Sequence, residues 1–358
     1  MDLIPIIIQF VIAFGLLLFF HEFGHFIAAR LFKIEVEEFG FGLPPRLVKL
    51  FTWKGTDITL NWIPFGAFVR PKGENDPEVE GGMGAANSWV KLAVLVAGPL
   101  MNIAVGFILL VALYGYVGVP DPTIVQIVQV APASPAQQAG VLPGDTVKQV
   151  NQQTVNGYEV LQSTIKANLG QQITLVVQRG KENYTYQIVP RANPPQGQGA
   201  LGIQLDYGLK TVSWTQSIPQ AFQGVYEQGR QFVMLPVQLI EGTIAPDQAR
   251  LVGIVGIFGI YRDASQMDTE ASATPVTRPP LFRLSFFIAI TIALGLTNLL
   301  PIPGLDGGRI LLTLPELIFH RRVPSQYENM VNGIGLLLLL GLMAIITVSD
   351  IIHLVKPN

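Results

Sequence analysis

Leu3–Phe20, LIPIIIQFVIAFGLLLFF, runs without a charge into His21-Glu22-Phe23-Gly24-His25. On a helix, His-Glu-x-x-His sets two imidazoles at i and i+4, one turn apart on one face. That spacing lets both bind one zinc ion, and it places the intervening glutamate as a base for metal-activated water. An ionisable cluster at the end of a membrane-length apolar run is costly and is usually functional. The stretch predicts a membrane helix carrying a hydrolytic metal centre: a zinc protease whose active site lies inside the bilayer.

Composition points the same way. Of 358 residues, 49% are hydrophobic and only 13% charged, which is the balance of a polytopic membrane protein rather than a soluble enzyme. A net charge of −2 gives no reason to expect a nucleic-acid partner. The absence of cysteine excludes disulfides and thiolate zinc ligands. The four histidines are His21, His25, His320 and His353. No basic segment precedes the first apolar run and no small-residue cleavage site precedes His21, so this run is expected to be a retained helix rather than a signal peptide.

Four stretches have the length and apolarity of membrane spans: about Leu3–Phe20, continuing as helix to about Phe32, then about Leu92–Tyr116, Leu284–Leu300 and Val331–Leu354. The loop after the first span carries Arg30, Lys33, Arg46, Lys49, Lys54, Arg70, Lys72 and Lys91, and the loop after the third carries Arg309, Arg321 and Arg322. The positive-inside rule puts both loops in the cytoplasm, or the stroma of an organelle, and both termini outside. The membrane is expected to be a bacterial inner membrane or a plastid membrane. In the first loop, Arg46–Thr52 and Asp57–Trp62 read as strands around a Lys54-Gly55 turn, with a third at about Gly66–Arg70. Its Leu50, Phe51, Trp53, Trp62, Ile63, Phe65 and Phe68 suit either a hairpin lying on the bilayer or a sheet dipping into it, with an edge that pairs with an extended peptide.

From about Asp121 to Tyr207 the chain turns β-rich. Ser134-Pro135-Ala136, Ala139-Gly140-Val141, Pro143-Gly144-Asp145-Thr146-Val147 and Val150-Asn151 follow one another in a run that resembles a PDZ domain of bacterial proteases. Leu201-Gly202-Ile203 then reads either as a loop whose free backbone N–H groups cap a peptide carboxylate or as a buried strand with a tight turn at Gly202. Ala221–Gly242 has helical spacing and is expected to lie along the membrane, kinked at Pro236, or to pack on the adjoining domain. Asp263–Pro280 is polar and reads as a mobile loop.

A catalytic zinc takes three protein ligands and keeps one open position. His320 beside Arg321-Arg322 and His353 near the chain end are isolated, which leaves Asp306 as the better third ligand. It lies in Asn298-Leu299-Leu300-Pro301-Ile302-Pro303-Gly304-Leu305-Asp306-Gly307-Gly308-Arg309, at the same membrane face as His21 and His25. Broken backbone at that depth is tolerated where it lines a cavity. Alone, the segment also reads as a helix-ending loop with a capping aspartate.

Together, His-Glu-x-x-His in the first span and Asn-x-x-Pro-x-Pro-x-Leu-Asp-Gly in a later one resemble the site-2 protease family of intramembrane metalloproteases. The PDZ-like insertion and Gly98-Pro99-Leu100-Met101-Asn102 are similar to its bacterial RseP-like branch. Pro64-Phe65-Gly66-Ala67-Phe68-Val69 looks like the family's membrane-re-entrant β-loop, with Ala67 where a second glycine is usual. Gly253-Ile254 stands where Gly-Pro is expected.

The resemblance implies one zinc ion held by His21, His25 and Asp306, with Glu22 as general base and acid. It implies substrates that are single-span membrane proteins, such as anti-sigma factors or remnant signal peptides, cut within the span. Gly66, Phe68, Asn102 and Asn298 are substrate-binding candidates, and the two asparagines also suit oxyanion donation or a plain interhelical hydrogen bond. The PDZ-like domain either binds peptide C-termini or excludes bulky substrates.

The implied fold is a polytopic α-helical membrane protein with four transmembrane helices, a cytoplasmic-side membrane-associated β-loop and an inserted extracytoplasmic PDZ domain. Its parts are residues 1–120, containing the β-loop at about 44–72, then the PDZ domain at 121–208, a membrane-surface region at 209–280, and the C-terminal spans at 281–358. A PDZ scaffold with a dead metal site would show a broken motif, and a transporter would show repeated halves. Neither is seen.

Overall fold

A computed structural model describes residues 3–74, 76–195, 197–243, 252–273 and 281–355. In chain order, the first elements are α1 (Leu3–Leu31), β1 (Val36–Trp53), β2 (Thr56–Pro71), α2 (Ser88–Val117), β3 (Val119–Val130) and α3 (Pro135–Ala139). Next come β4 (Thr146–Val150), β5 (Gln153–Thr154), α4 (Tyr158–Ala167), β6 (Ile173–Arg179), β7 (Glu182–Ile188) and β8 (Ile203–Lys210). The chain ends in α5 (Trp214–Ile240), α6 (Ile254–Ala273), α7 (Phe282–Asn298), α8 (Asp306–Phe319) and α9 (Ser325–Val355). These fall into two compact units, one within Met1–Leu110, Ala221–Asp268 and Leu281–Asn358, the other within Val111–Gln220 and Thr269–Pro280.

The first unit is built on apolar helices. α1, α2 and the Ser325–Ile352 part of α9 are long and apolar enough to cross a membrane, whereas α7 is apolar but only 17 residues long. Their outer faces are uncovered: Ile4, Ile8 and Ile12 of α1 and Leu337, Leu338 and Ile345 of α9 are exposed. Continuous apolar faces of this length need lipid around them, so this is an integral membrane protein. α1 and α2 approach closely at Gly24, where an added Cβ would meet the Ala97 carbonyl at 2.3 Å. Small residues at such crossings let helix backbones touch where no hydrophobic effect drives them together.

The β1–β2 hairpin contains the expected strand segments, and β1 begins earlier than expected, at Val36. Residues 38–41 of β1 pair on one side with 57–60 and on the other with 67–70, so one hairpin forms three strand segments with β1 in the middle. The inner end packs on α1 through Phe19, Phe23, Phe26, Phe39 and Phe41, with Phe19 and Phe41 stacked at 5.6 Å. The outer end leaves Leu47, Leu50, Phe51, Trp53, Trp62 and Ile63 exposed.

One expectation changes. Residues 263–273 are helical, not a loop, while 274–280 lie outside the described residues. Asp268, buried on α6, accepts from the Phe282 backbone N–H at 2.7 Å and pairs with Arg283 at 2.7 Å, so tertiary contacts hold a polar segment in helical form. The helix expected over Ala221–Gly242 is α5, which continues past Pro236. Asp306 begins a new helix, α8, which ion pairs tie in place: Arg309 to Glu74 at 2.6 Å and Glu316 to Lys91 at 3.1 Å.

The second unit is an antiparallel sheet in the order β7-β6-β4-β3-β8, with β5 beside β4. Val125, Ile127, Val147, Leu161, Ile173, Leu175 and Val177 form its core. Ser134 accepts a hydrogen bond from the Gln137 backbone N–H to cap α3, Pro135 starts the helix, and Gly140 ends it in the left-handed region at φ 90°. Asp145 is fully buried, receives both Arg179 Nε at 2.7 Å and an Arg179 terminal nitrogen at 2.8 Å, and accepts from the Leu142 N–H. This pairing, stronger than the desolvation that opposes it, holds the guanidinium pKa above its ordinary value. Asp145→Ala leaves Arg179 only the Gly140 carbonyl and the Tyr186 hydroxyl and takes the acceptor from the Leu142 N–H, and it is expected to cost about 2 kcal/mol. The loss should appear as faster hydrogen exchange in β4 and β6, and unchanged protection there would refute it.

Candidate metal centre

His21 and His25 lie on one face of α1, as their spacing requires, with ring centroids 4.9 Å apart and planes at 84°. Asp306, at the first position of α8, meets them: its Oδ2 is 3.0 Å from His21 Nε2 and 3.4 Å from His25 Nε2, and the two Nε2 atoms are 3.3 Å apart. Among the described residues, this is the group of three whose donor atoms suit a metal ion, all within 4.8 Å of one another. Asp306 reaches the site because α8 starts tight under the end of α7. A Cβ at Gly307 would lie 2.1 Å from the Leu300 carbonyl, so only glycine allows that start.

Both histidines and Glu22 have a partner behind them. His25 Nδ1 is 2.8 Å from the Val94 carbonyl of α2 and donates to it. His21 Nδ1 is 3.4 Å from the side-chain amide of Asn102, which is fully buried. Glu22 Oε2 accepts from the Val69 backbone N–H at 3.1 Å. Gly98 of α2 lies flat against the His25 ring, where an added Cβ would sit 2.3 Å from Nε2.

The structure separates the remaining candidates. Asn102 stands at the His21 nitrogen that faces away from Asp306. Asn298 is the half-buried last residue of α7. Gly66, at φ 78°, abuts Leu18 of α1. The Phe68 ring lies over Gly40 of β1 with Arg70 5.7 Å from its centroid, so it packs on its own sheet. His320 ends α8, exposed, in the left-handed region. The His353 side chain lies outside the described residues.

In the β-rich unit, the Gly202 N–H is not free, because it donates to the Gly199 carbonyl at 2.9 Å. Leu201 is buried, its carbonyl accepts from Ala136 N–H, and Ile203 opens β8. The tight turn at Gly202 therefore takes up a donor that a carboxylate cap would use.

Sequence reasoning missed Val69, Val94 and Gly98. The first two act through backbone groups and carry no side-chain signature. Gly98 was visible only as the start of Gly98-Pro99-Leu100-Met101-Asn102.

The profile of Peptidase family M50 matches residues 9–342. A Clostridium perfringens protein, named provisionally as a zinc metalloprotease, is 30% identical over 349 residues, covering 97% of this chain and 98% of its own. A Nostoc protein of similar provisional name is 30% identical over 357 residues, covering 94% and 93%. The zinc metalloprotease RasP of Geobacillus kaustophilus is 28% identical over 434 residues, covering 96% and 97%.

Proposed function

The chain belongs to peptidase family M50, and on that premise we propose that it is a zinc-dependent intramembrane endopeptidase cutting single-span membrane proteins within the span. The convergence of His21 Nε2, His25 Nε2 and Asp306 Oδ2 carries this reading. Tetrahedral zinc with ligands at about 2.0–2.2 Å needs donor atoms about 3.3 Å apart, and these stand 3.0, 3.3 and 3.4 Å apart. Asp306 Oδ2 is buried and, among the described residues, has no hydrogen-bond donor beyond the two imidazole Nε2 atoms, as suits an atom turned toward a cation shared with them. A soft thiolate site is excluded by composition, and two imidazoles with a carboxylate suit zinc.

When bound, zinc polarises the scissile carbonyl and acidifies the attacking water. The protein's own residues do the rest. Glu22 takes a proton from the water on its carboxylate and passes it to the leaving amine nitrogen. The Val69 N–H aims that carboxylate. Among the described residues the 67–70 segment pairs with β1 on one side only, and its other edge faces Glu22. An unwound substrate strand added there lies extended beside the base. The exposed apolar end of the hairpin supports its immersion in the bilayer.

α7 serves as a short fourth span, with the site at the cytoplasmic side and both termini and the β-rich unit outside. That unit is the PDZ domain, and β8, which among the described residues pairs only with β3, offers an edge for peptide C-termini. The occupied Gly202 N–H weighs against a full carboxylate cap.

The test is cleavage of a tagged single-span protein in detergent by the purified chain, with and without a zinc chelator. Cutting should fall inside the span, stop on chelation and return with added zinc. Cutting outside the span, or indifferent to chelation, would refute the reading.

A further inference from the structure

We infer that Asn102 is a positioning residue that accepts the Nδ1 proton of His21 and so fixes which ring nitrogen faces the metal. This rests on the zinc reading above. A neutral imidazole has one N–H and one lone pair, and Nε2 must keep its lone pair for the ion. The proton then sits on Nδ1 and needs an acceptor. His25 has one in the Val94 carbonyl at 2.8 Å. For His21 the neighbour of Nδ1 is the Asn102 amide at 3.4 Å.

The two ends of an amide have the same shape, so the hydrogen-bond network decides its orientation. With nitrogen toward His21, Asn102 Oδ1 is buried without a partner among the described residues. With oxygen toward His21, that orphan acceptor takes the Nδ1 proton. This orientation also leaves the Nε2 lone pair on the Asp306 side. The surroundings are rigid enough to hold it: Asn102 has no exposed surface, and its backbone carbonyl accepts from Thr291 of α7 at 3.4 Å. Partners of this kind raise ligand basicity and lock ring orientation, and losing one weakens metal binding about 10–100-fold.

The experiment measures zinc affinity by chelator competition on the purified full chain, for wild type, Asn102→Leu and Asn102→Asp. Asn102→Leu removes the acceptor at similar volume and should weaken binding about 10–100-fold. Asn102→Asp retains an acceptor and should stay within about 3-fold of wild type. A merely structural role would give the opposite order, since leucine packs between apolar helices better than a buried carboxylate. Zinc affinity unchanged in Asn102→Leu, or lost equally in both variants, overturns the inference but leaves the protease reading standing. Wild type that binds no zinc overturns both.

If neither variant folds, zinc-loaded wild type labelled with 15N-histidine decides. A proton on His21 Nδ1 supports the assignment, and coordination through Nδ1 with the proton on Nε2 overturns it.

Discussion

Glu22→Gln is expected to lower turnover of a single-span substrate about 1,000-fold while leaving zinc affinity unchanged. Glutamine keeps the length of the side chain, and its carbonyl still accepts from the Val69 N–H that holds Glu22 Oε2 at 3.1 Å. What it loses is the ability to take a proton from water and return it to the amine. General acid–base groups contribute about 100- to 10,000-fold, and Glu22 is asked to serve in both directions. The three metal donors belong to other side chains, so the ion should stay. Single-turnover cleavage and chelator titration on the same preparations check the two halves separately. Cleavage at the wild-type rate would remove Glu22 from the chemistry. Loss of zinc along with activity would make it a ligand instead of a base.

The members of the metal triad were legible in the sequence on different grounds. His21 and His25 are one helical turn apart, and helical spacing alone puts them on one face. Asp306 is 281 residues further on than His25. Taken alone, its segment also suited a helix-ending loop with a capping aspartate, and only its pairing with His-Glu-x-x-His made it the expected third ligand; the start of α8 beneath Leu299 and Leu300 brings it to the two imidazoles. The partners behind the triad were hidden more deeply, because Val69 and Val94 use main-chain atoms that any residue possesses.

The fold shows the same division. α1, α2 and α9 follow from apolar length. The inner half of β1 did not, because Glu37, Glu38 and Gly40 interrupt the alternation expected of a strand. Glu38 is tolerated there, 2% exposed, because Arg46, Thr59 and Arg70 from other parts of the hairpin bond its carboxylate. Residues 263–273 were misread likewise, since Asp268 finds its partners only in the folded chain.

Gly98→Ala is expected to remove the metal site by adding a single methyl group. In a helix, alanine is intrinsically favoured over glycine by about 1 kcal/mol, so α2 itself should not suffer. The methyl, however, would stand 2.3 Å from His25 Nε2 and 2.5 Å from Cε1, far inside contact distance. The ring is already held by Nδ1 on the Val94 carbonyl and flanked edge-on by His21. It can relieve the clash only by leaving the position that puts Nε2 near Asp306.

Zinc affinity should fall at least about 100-fold, at or beyond the loss of an outer-sphere partner, and cleavage should fall with it. The cause can be isolated with a double-mutant cycle. In a His25→Ala background the three atoms nearest the methyl are gone, so Gly98→Ala should there leave thermal stability unchanged or slightly higher. Wild-type zinc affinity in the single Gly98→Ala variant would mean that the ring and the helix part more easily than their packing indicates. A further loss of stability in the double variant would place the strain in the α1–α2 contact rather than at the imidazole.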